Sequence, residues 1–232
     1  NDDKSVNEPW MYPEFTPHIR ELIKFRYRLI PYLYDLLWRY HQTFEPMMRP
    51  TFHDFPDDPR CFAENDDMLI GSKLLVASVV EPGQRARTVY LPQGANWYDY
   101  WGGEYFAGGR EITLPAPWDR PPLLVREGSI LPLNLAEQHF AQPADERGFA
   151  VFPYRGDRVI DDVFFDDDGE SFSYRRGGQG EWRVRIAGEG GELQVHVALS
   201  GNVPVSADVV KILLPRQELR AVRAMAGRIL ND

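Results

Sequence analysis

At Pro50 the sequence changes period. Before it, residues 16–45 read TPHIRELIKFRYRLIPYLYDLLWRYHQTFE, with Ile19, Leu22, Ile23, Leu29, Ile30, Leu33, Leu36, Leu37 and Tyr40 at helical spacing. Thr16 followed by Pro17 reads as a helix start: a hydroxyl N-cap, then a proline where a missing N–H costs nothing. Pro31 should kink this helix and Pro46 marks its end. Tyr27, Tyr32, Tyr34 and Trp38 add apolar surface off the main stripe, so the helix should touch more than one neighbour.

After Pro50 the runs are short and strand-like: LLVASVV (74–80), TVYL (88–91), EITL (111–114), PLLV (122–125) and SILPL (129–133). Pro82-Gly83, Gly102-Gly103, Gly108-Gly109 and Glu127-Gly128 separate them as turn signals. The polar stretch 134–148 reads as a connection. A second series follows: FAVFPY, RVIDDVFF, SFSYR, EWRVRIA, ELQVHVAL, ADVVKILLP and ELRAVRAMA. In ELQVHVAL, Leu193, Val195, Val197 and Leu199 fall on one face. The expected fold is mainly β: two antiparallel β-sandwich domains preceded by one long helix.

A net charge of −9 argues against sequence-independent nucleic-acid binding and against docking on an anionic membrane. No apolar run reaches the length of a membrane span. The single cysteine, Cys61, excludes an intrachain disulfide framework and a CxxC zinc site, and a free thiol fits a reducing compartment.

The candidate chemistry centres on FFDDDGESFSYRRGG (164–178). An EF-hand loop with Gly169 at its sixth position needs an oxygen ligand at 164 and Glu at 175; the chain has Phe164 and Arg175. A catalytic dyad needs two carboxylates facing each other across a substrate, which adjacent residues on one turn do not supply. Asp166, Asp167 and Asp168 therefore read as a hairpin, with Asp168-Gly169 as its tip, and a calcium site built from long-range ligands is the minority alternative. His18, His41, His53, His139 and His196 make no metal-ligand spacing, and His53 with Asp54, Asp57 and Asp58 reads as solvated turn residues. Nucleophile elbow, P-loop and dinucleotide fingerprint are absent, and Cys61 has no base partner in sequence. The hairpin WYDYWGGEYFAGG offers Trp97, Tyr98, Tyr100, Trp101, Tyr105 and Phe106, rings that either stack on sugars or pack between sheets; packing is the commoner use.

Six ordered segments together resemble glycoside hydrolase family thirty-one, the α-glucosidase and α-xylosidase family: FRYRLIPYLYDLL, MRPTFHDFPDD, GSKLLVASVVEPG, VYLPQGANWYDYWGG, PLLVREGSILP and FFDDDGESFSY. Two details depart from the family pattern: Ser78 stands where proline is usual, and one extra residue precedes Trp97. The resemblance implies that residues 1–47 end a catalytic (β/α)8 barrel, 48–134 form a proximal β-sandwich and 135–232 a distal one. It implies a retaining α-glycosidase working through two barrel carboxylates that lie upstream of this chain, so no catalytic residue is transferred. It further implies no cofactor and no metal, an α-linked oligosaccharide or glycoside as the partner of the complete enzyme, and a structural role for this part. Glu8 and Trp10, entering the barrel's last helix, are the candidate active-site rim. The competing reading is a free-standing carbohydrate-binding β-sandwich module, against which the long helix speaks; a purely structural interaction domain is the third.

Overall fold

The computed structural model describes residues 8–63, 66–135, 146–202 and 209–225. A 3-10 turn over Pro9–Met11 leads into α1, Thr16–Thr43, which runs without a break through Pro31. The helix starts one residue away from the expected cap. Phe15 is the N-cap and Thr16 is already helical; its hydroxyl donates backwards, to the Tyr12 carbonyl at 3.0 Å and the Pro9 carbonyl at 3.3 Å. At the other end Phe44 takes a left-handed φ of 60° and donates its N–H to the Tyr40 carbonyl.

Strands β1 (Met48–Arg49), β2 (Asp67–Ile70), β3 (Leu74–Ala77), β4 (Ala86–Leu91), β5 (Asn96–Asp99), β6 (Tyr105–Ala107), β7 (Arg110–Pro115) and β8 (Leu123–Arg126) build the first sandwich; a short helix α2, Thr51–Asp54, follows β1. Six strands, ordered β1-β2-β3-β8-β5-β6, form one sheet, and β4-β7 form the other. Strands β9 (Ser129–Leu133), β10 (Glu146–Phe152), β11 (Val159–Asp166), β12 (Gly180–Glu189), β13 (Glu192–Gly201), β14 (Val209–Leu213) and β15 (Ala221–Ala224) build the second, as a sheet β14-β10-β9 facing a sheet β11-β12-β13-β15. Most ladders are antiparallel; β10–β14 and β13–β15 are parallel.

The apolar runs are continuous where both faces of a strand are covered. In β8, Leu124 enters the first sandwich with Leu75, Trp97 and Leu114, while Leu123 and Val125 face α1 through Leu29, Tyr32 and Leu36. In β9, Ile130 enters the second sandwich with Phe149, Phe164 and Trp182, while Leu131 and Leu133 join the α1 layer. Helix α1 thus packs between the β8 face of the first sandwich and the β9–β10 face of the second. The division suggested by sequence at 134/135 falls between β9 and β10, which are hydrogen-bonded neighbours from Gly148↔Leu133 to Phe152↔Ser129.

Three local expectations are corrected. SFSYR is no strand: Ser173–Arg176 is a 3-10 turn. LLVASVV stops at Ala77, leaving Val80 55% exposed, because no partner strand continues beside it. Asp168-Gly169 is not a tight hairpin tip. It opens a connection over residues 167–179 between the antiparallel pair β11 and β12, with Gly169 at φ +67°.

Candidate functional site

The acidic run is spent on holding the fold together. Asp166 accepts from the Trp182 indole N–H at 2.9 Å and pairs with Arg147. Asp167 is buried and accepts from the Tyr34 hydroxyl of α1 at 2.9 Å and from the Gly169 N–H at 2.8 Å. Asp168 accepts from the Ser171 hydroxyl, the Ser171 and Glu170 N–H groups and the Ser173 hydroxyl. Those donors, led by the Ser171 hydroxyl, lower its pKa to about 2. The three carboxylates serve three different sets of partners and do not converge on one point. Among the described residues, no group of three or more His, Cys, Asp or Glu could hold a metal ion.

The run sits beside a polar seam that ties α1 to both sandwiches. β11 is an edge strand, and an edge leaves N–H and C=O groups unpaired. Helix α1 supplies their partners from two residues one turn apart: the buried Asp35 carboxylate accepts from the Phe165 N–H at 3.0 Å, and Arg39 Nη2 donates to the Val163 carbonyl at 2.8 Å. Arg39 also donates from Nε to Asp35 at 2.8 Å and lies 3.3 Å from Asp162. Lys73, in the turn just before β3, pairs with that same Asp162 and donates to the Ile130 carbonyl at 3.0 Å, with its ammonium over the Phe164 ring at 4.7 Å. Burial lowers the Lys73 pKa, and Asp162 opposes that shift. Trp38 stacks on Phe165 at 4.0 Å, while Tyr32 donates to the Ile70 carbonyl at 2.7 Å. The off-stripe aromatics of α1 therefore do touch two bodies.

The other sequence candidates separate. Trp97 and Phe106 are buried with Phe55 inside the first sandwich, and Tyr100 and Trp101 pack on Phe25 of α1. Trp97, Tyr98 and Phe106 are core, and Tyr100, Trp101 and Tyr105 are half-buried against it, so the rings are used mainly for packing. Cys61 is buried, and burial pushes its thiol pKa up, away from a reactive thiolate. Asp58 corrects the solvated-turn reading. It is buried and accepts from the Tyr90 hydroxyl at 2.8 Å and the Gln93 N–H at 2.7 Å. Asp54 pairs with Arg49, itself buried, at 2.9 Å, whereas His53 is exposed. His139 lies outside the described residues.

Glu8 and Trp10 lie in and beside the 3-10 turn ahead of α1, where Trp10 is 70% exposed. Sequence reasoning missed their neighbour Trp118. It lies in the turn APWDRPP between β7 and β8 and stacks on Phe15 with ring centroids 4.1 Å apart and planes 8° off parallel. A lone tryptophan in a proline-rich turn was the available signal. The apolar surface of α1 is covered on one side only. Ile23, Leu37, Tyr40 and Phe44 face away from the β layers, exposed by 48%, 49%, 45% and 78%.

The fold is thus a long helix packed by one apolar face on two β-sandwiches, with a second apolar face exposed. Comparison with known proteins specifies the family. Residues 1–36 match the glycosyl hydrolases family 31 TIM-barrel domain, and residues 44–131 match the glycosyl hydrolase family 31 C-terminal domain. The chain belongs to glycosyl hydrolase family 31, of which it carries the C-terminal part. It is 34% identical over 191 residues to alpha-glucosidase 2 of Bacillus thermoamyloliquefaciens, covering 82% of this chain and 24% of that protein. It is also 34% identical over 176 residues to an alpha-xylosidase of Saccharolobus solfataricus, covering 73% and 23%. Among solved structures, a dextranase of Flavobacterium johnsoniae complexed with isomaltotriose superposes with a TM-score of 0.76 at 31% identity, over 83% of this chain and 24% of that one. The chain thus spans about a quarter of the length of these relatives.

Proposed function

We propose that this chain is the C-terminal part of a retaining α-glycosidase that hydrolyses O-glycosidic bonds of α-glucosides or α-xylosides, and that its own work is structural. In this reading residues 1–47 close the catalytic barrel, 48–134 form the proximal domain and 135–232 the distal one. The observation that carries it is the two-sided helix α1. Its N-terminal part matches the barrel domain, its inner face is locked onto β11 and β2, and its outer stripe is left for the barrel. The α-glucosidase and α-xylosidase relatives supply the substrate class. Glu8 and Trp10 belong to the substrate-facing rim, because the loops that enter barrel helices form the catalytic face. The β domains buttress α1 and, through it, the barrel wall.

The test is to assay the complete protein and the 232-residue chain side by side on aryl α-glucosides and α-xylosides. Turnover is expected from the complete protein and none above background from this chain, whose acidic residues serve the fold. Turnover by this chain that disappears on mutating one of its own carboxylates would sink the proposal, as would a complete protein inert on every α-glycoside.

A further inference from the structure

Resting on that reading, we infer that Trp118 is a positioning residue: it fixes the substrate-facing segment Glu8–Tyr12 from the proximal domain. The contacts form an unbroken series. The turn that carries Trp118 is pinned to the start of β4, since the Ala116 N–H donates to the Arg85 carbonyl at 2.9 Å. The Arg85 guanidinium lies over the Trp118 ring at 4.4 Å, a cation–π arrangement that orients the indole. The indole stacks on Phe15, and the His18 ring approaches it at 6.0 Å, so the first turn of α1 is gripped on two residues.

That first turn in turn holds the 3-10 segment. Phe15 and Thr16 donate their N–H groups to the Tyr12 carbonyl, both at 3.0 Å, and the Thr16 hydroxyl spans the Tyr12 and Pro9 carbonyls. Met11 donates to the Glu8 carbonyl at 2.9 Å. Trp10 makes no ring contact among the described residues and projects from this segment. Its placement therefore depends on the backbone beneath it, and that backbone is tied to Phe15.

Phe15 and Arg85 both lie against the Trp118 rings, which remain 42% exposed, and the role inferred is one of positioning. Its effect on substrate must pass through Trp10 and Glu8. In a (β/α)8 barrel the start of each helix lies at the catalytic face, so a shift here displaces groups that meet substrate. Small displacements of positioning groups cost up to about 100-fold in rate.

The experiment compares Trp118→Ala and Trp118→Phe in the complete protein. Hydrogen exchange reports the amides of Met11, Phe15 and Thr16, with β9 as the control for intact folding. Trp118→Ala should speed exchange in residues 8–16 about three- to tenfold, the factor one aromatic pair is worth, and leave β9 unchanged. The KM for an α-linked oligosaccharide should rise about tenfold, by more than kcat falls. Trp118→Phe, which keeps the stack, should restore both. Unchanged exchange at residues 8–16 in Trp118→Ala would overturn the inference. Loosened exchange with an unmoved KM in an active enzyme would overturn its link to substrate. A complete protein with no α-glycosidase activity would refute the functional reading instead, while the exchange data still decide whether Trp118 holds the segment.

Discussion

The two faces of α1 are built from the same kinds of residue and meet different fates. Leu29, Tyr32, Asp35 and Leu36 are buried on one side; Ile23, Leu37, Tyr40 and Phe44 stand open on the other. Leu36 and Leu37 are adjacent, both leucine, and differ from 9% to 49% exposure. The inner face is also distinguished by chemistry that the outer face lacks. Asp35 and Arg39, one turn apart, are not there for the helix alone; they complete the edge of β11. An apolar stripe asks for any apolar cover, whereas a carboxylate placed on the Phe165 N–H asks for one strand in one register. The difference teaches that hydrophobic burial holds α1 against the β layers while the polar seam sets where on them it sits.

The comparison can be broken most forcefully at Asp35. Asp35→Ala leaves the Phe165 N–H without its acceptor and removes a partner of Arg39. The cost should be about 3 kcal/mol, since a buried donor loses its charged acceptor and an ion pair is broken from one side. Denaturant titration checks this; a loss below about 1 kcal/mol would mean that the edge of β11 finds other partners.

Next comes the Leu36–Leu37 pair. Leu36→Ala should destabilise this chain by about 2–5 kcal/mol, as buried leucine truncations do, and Leu37→Ala by about 0.5 kcal/mol or less, as surface changes do. In the complete protein, Leu37→Ala should move towards the cost of a buried site. The same melts in both contexts sharpen the contrast, and equal costs at 36 and 37 in this chain would erase it. The bare stripe also predicts association: light scattering should show this chain self-associating, and Leu37→Glu with Tyr40→Glu should make it monomeric, because exposed apolar patches of this kind drive contact.

A smaller effect is expected in the loop that backs the inner face. Gly169 sits at φ +67° with nothing within 4 Å of where a Cβ would go, so Gly169→Val is strained by backbone conformation and not by crowding. That strain is about 1–2 kcal/mol and should appear as a lower melting temperature. A melt superimposable on the parent's would show that the loop relaxes freely.

The mildest change is one of pH. The folded pKa of Asp168 is about 2, below the ordinary carboxylate value, so its contribution is present above the unfolded pKa and lost as pH falls through the folded one. Loop 167–179 should therefore loosen between about pH 4 and pH 2. Hydrogen exchange at Ser171 and Glu170 would follow it, and Asp168→Asn should flatten that dependence. A loop whose exchange ignores pH over this range would mean that the Asp168 cap is dispensable.

Much of this molecule was readable in advance. Helical spacing marked α1 to within a few residues, and alternation placed Leu193 and Val195 on the buried face of β13. Turn residues separated β3 from β4, β4 from β7 and β8 from β9. These are local matters, set by side-chain period and by what glycine and proline allow. The six family segments pointed to the family by themselves, and the FFDDDGESFSY run already excluded an EF-hand by its Phe164 and Arg175.

Tertiary structure alone decided the rest. Periodicity says which residues share a face but not which body covers it, so Leu36 and Leu37 look alike until β layers are laid on one of them. The duties of Asp166, Asp167 and Asp168 depend on Arg147, Trp182 and Tyr34, and no local pattern links Asp167 to a tyrosine 133 positions away. SFSYR has strand-forming residues, yet Asp168 draws Ser171 and Ser173 into a turn, because a carboxylate with four donors outweighs β propensity. Trp118 stayed silent for the same reason: its meaning lies in Phe15, which precedes it by most of a domain and meets it only when the chain has folded back across α1.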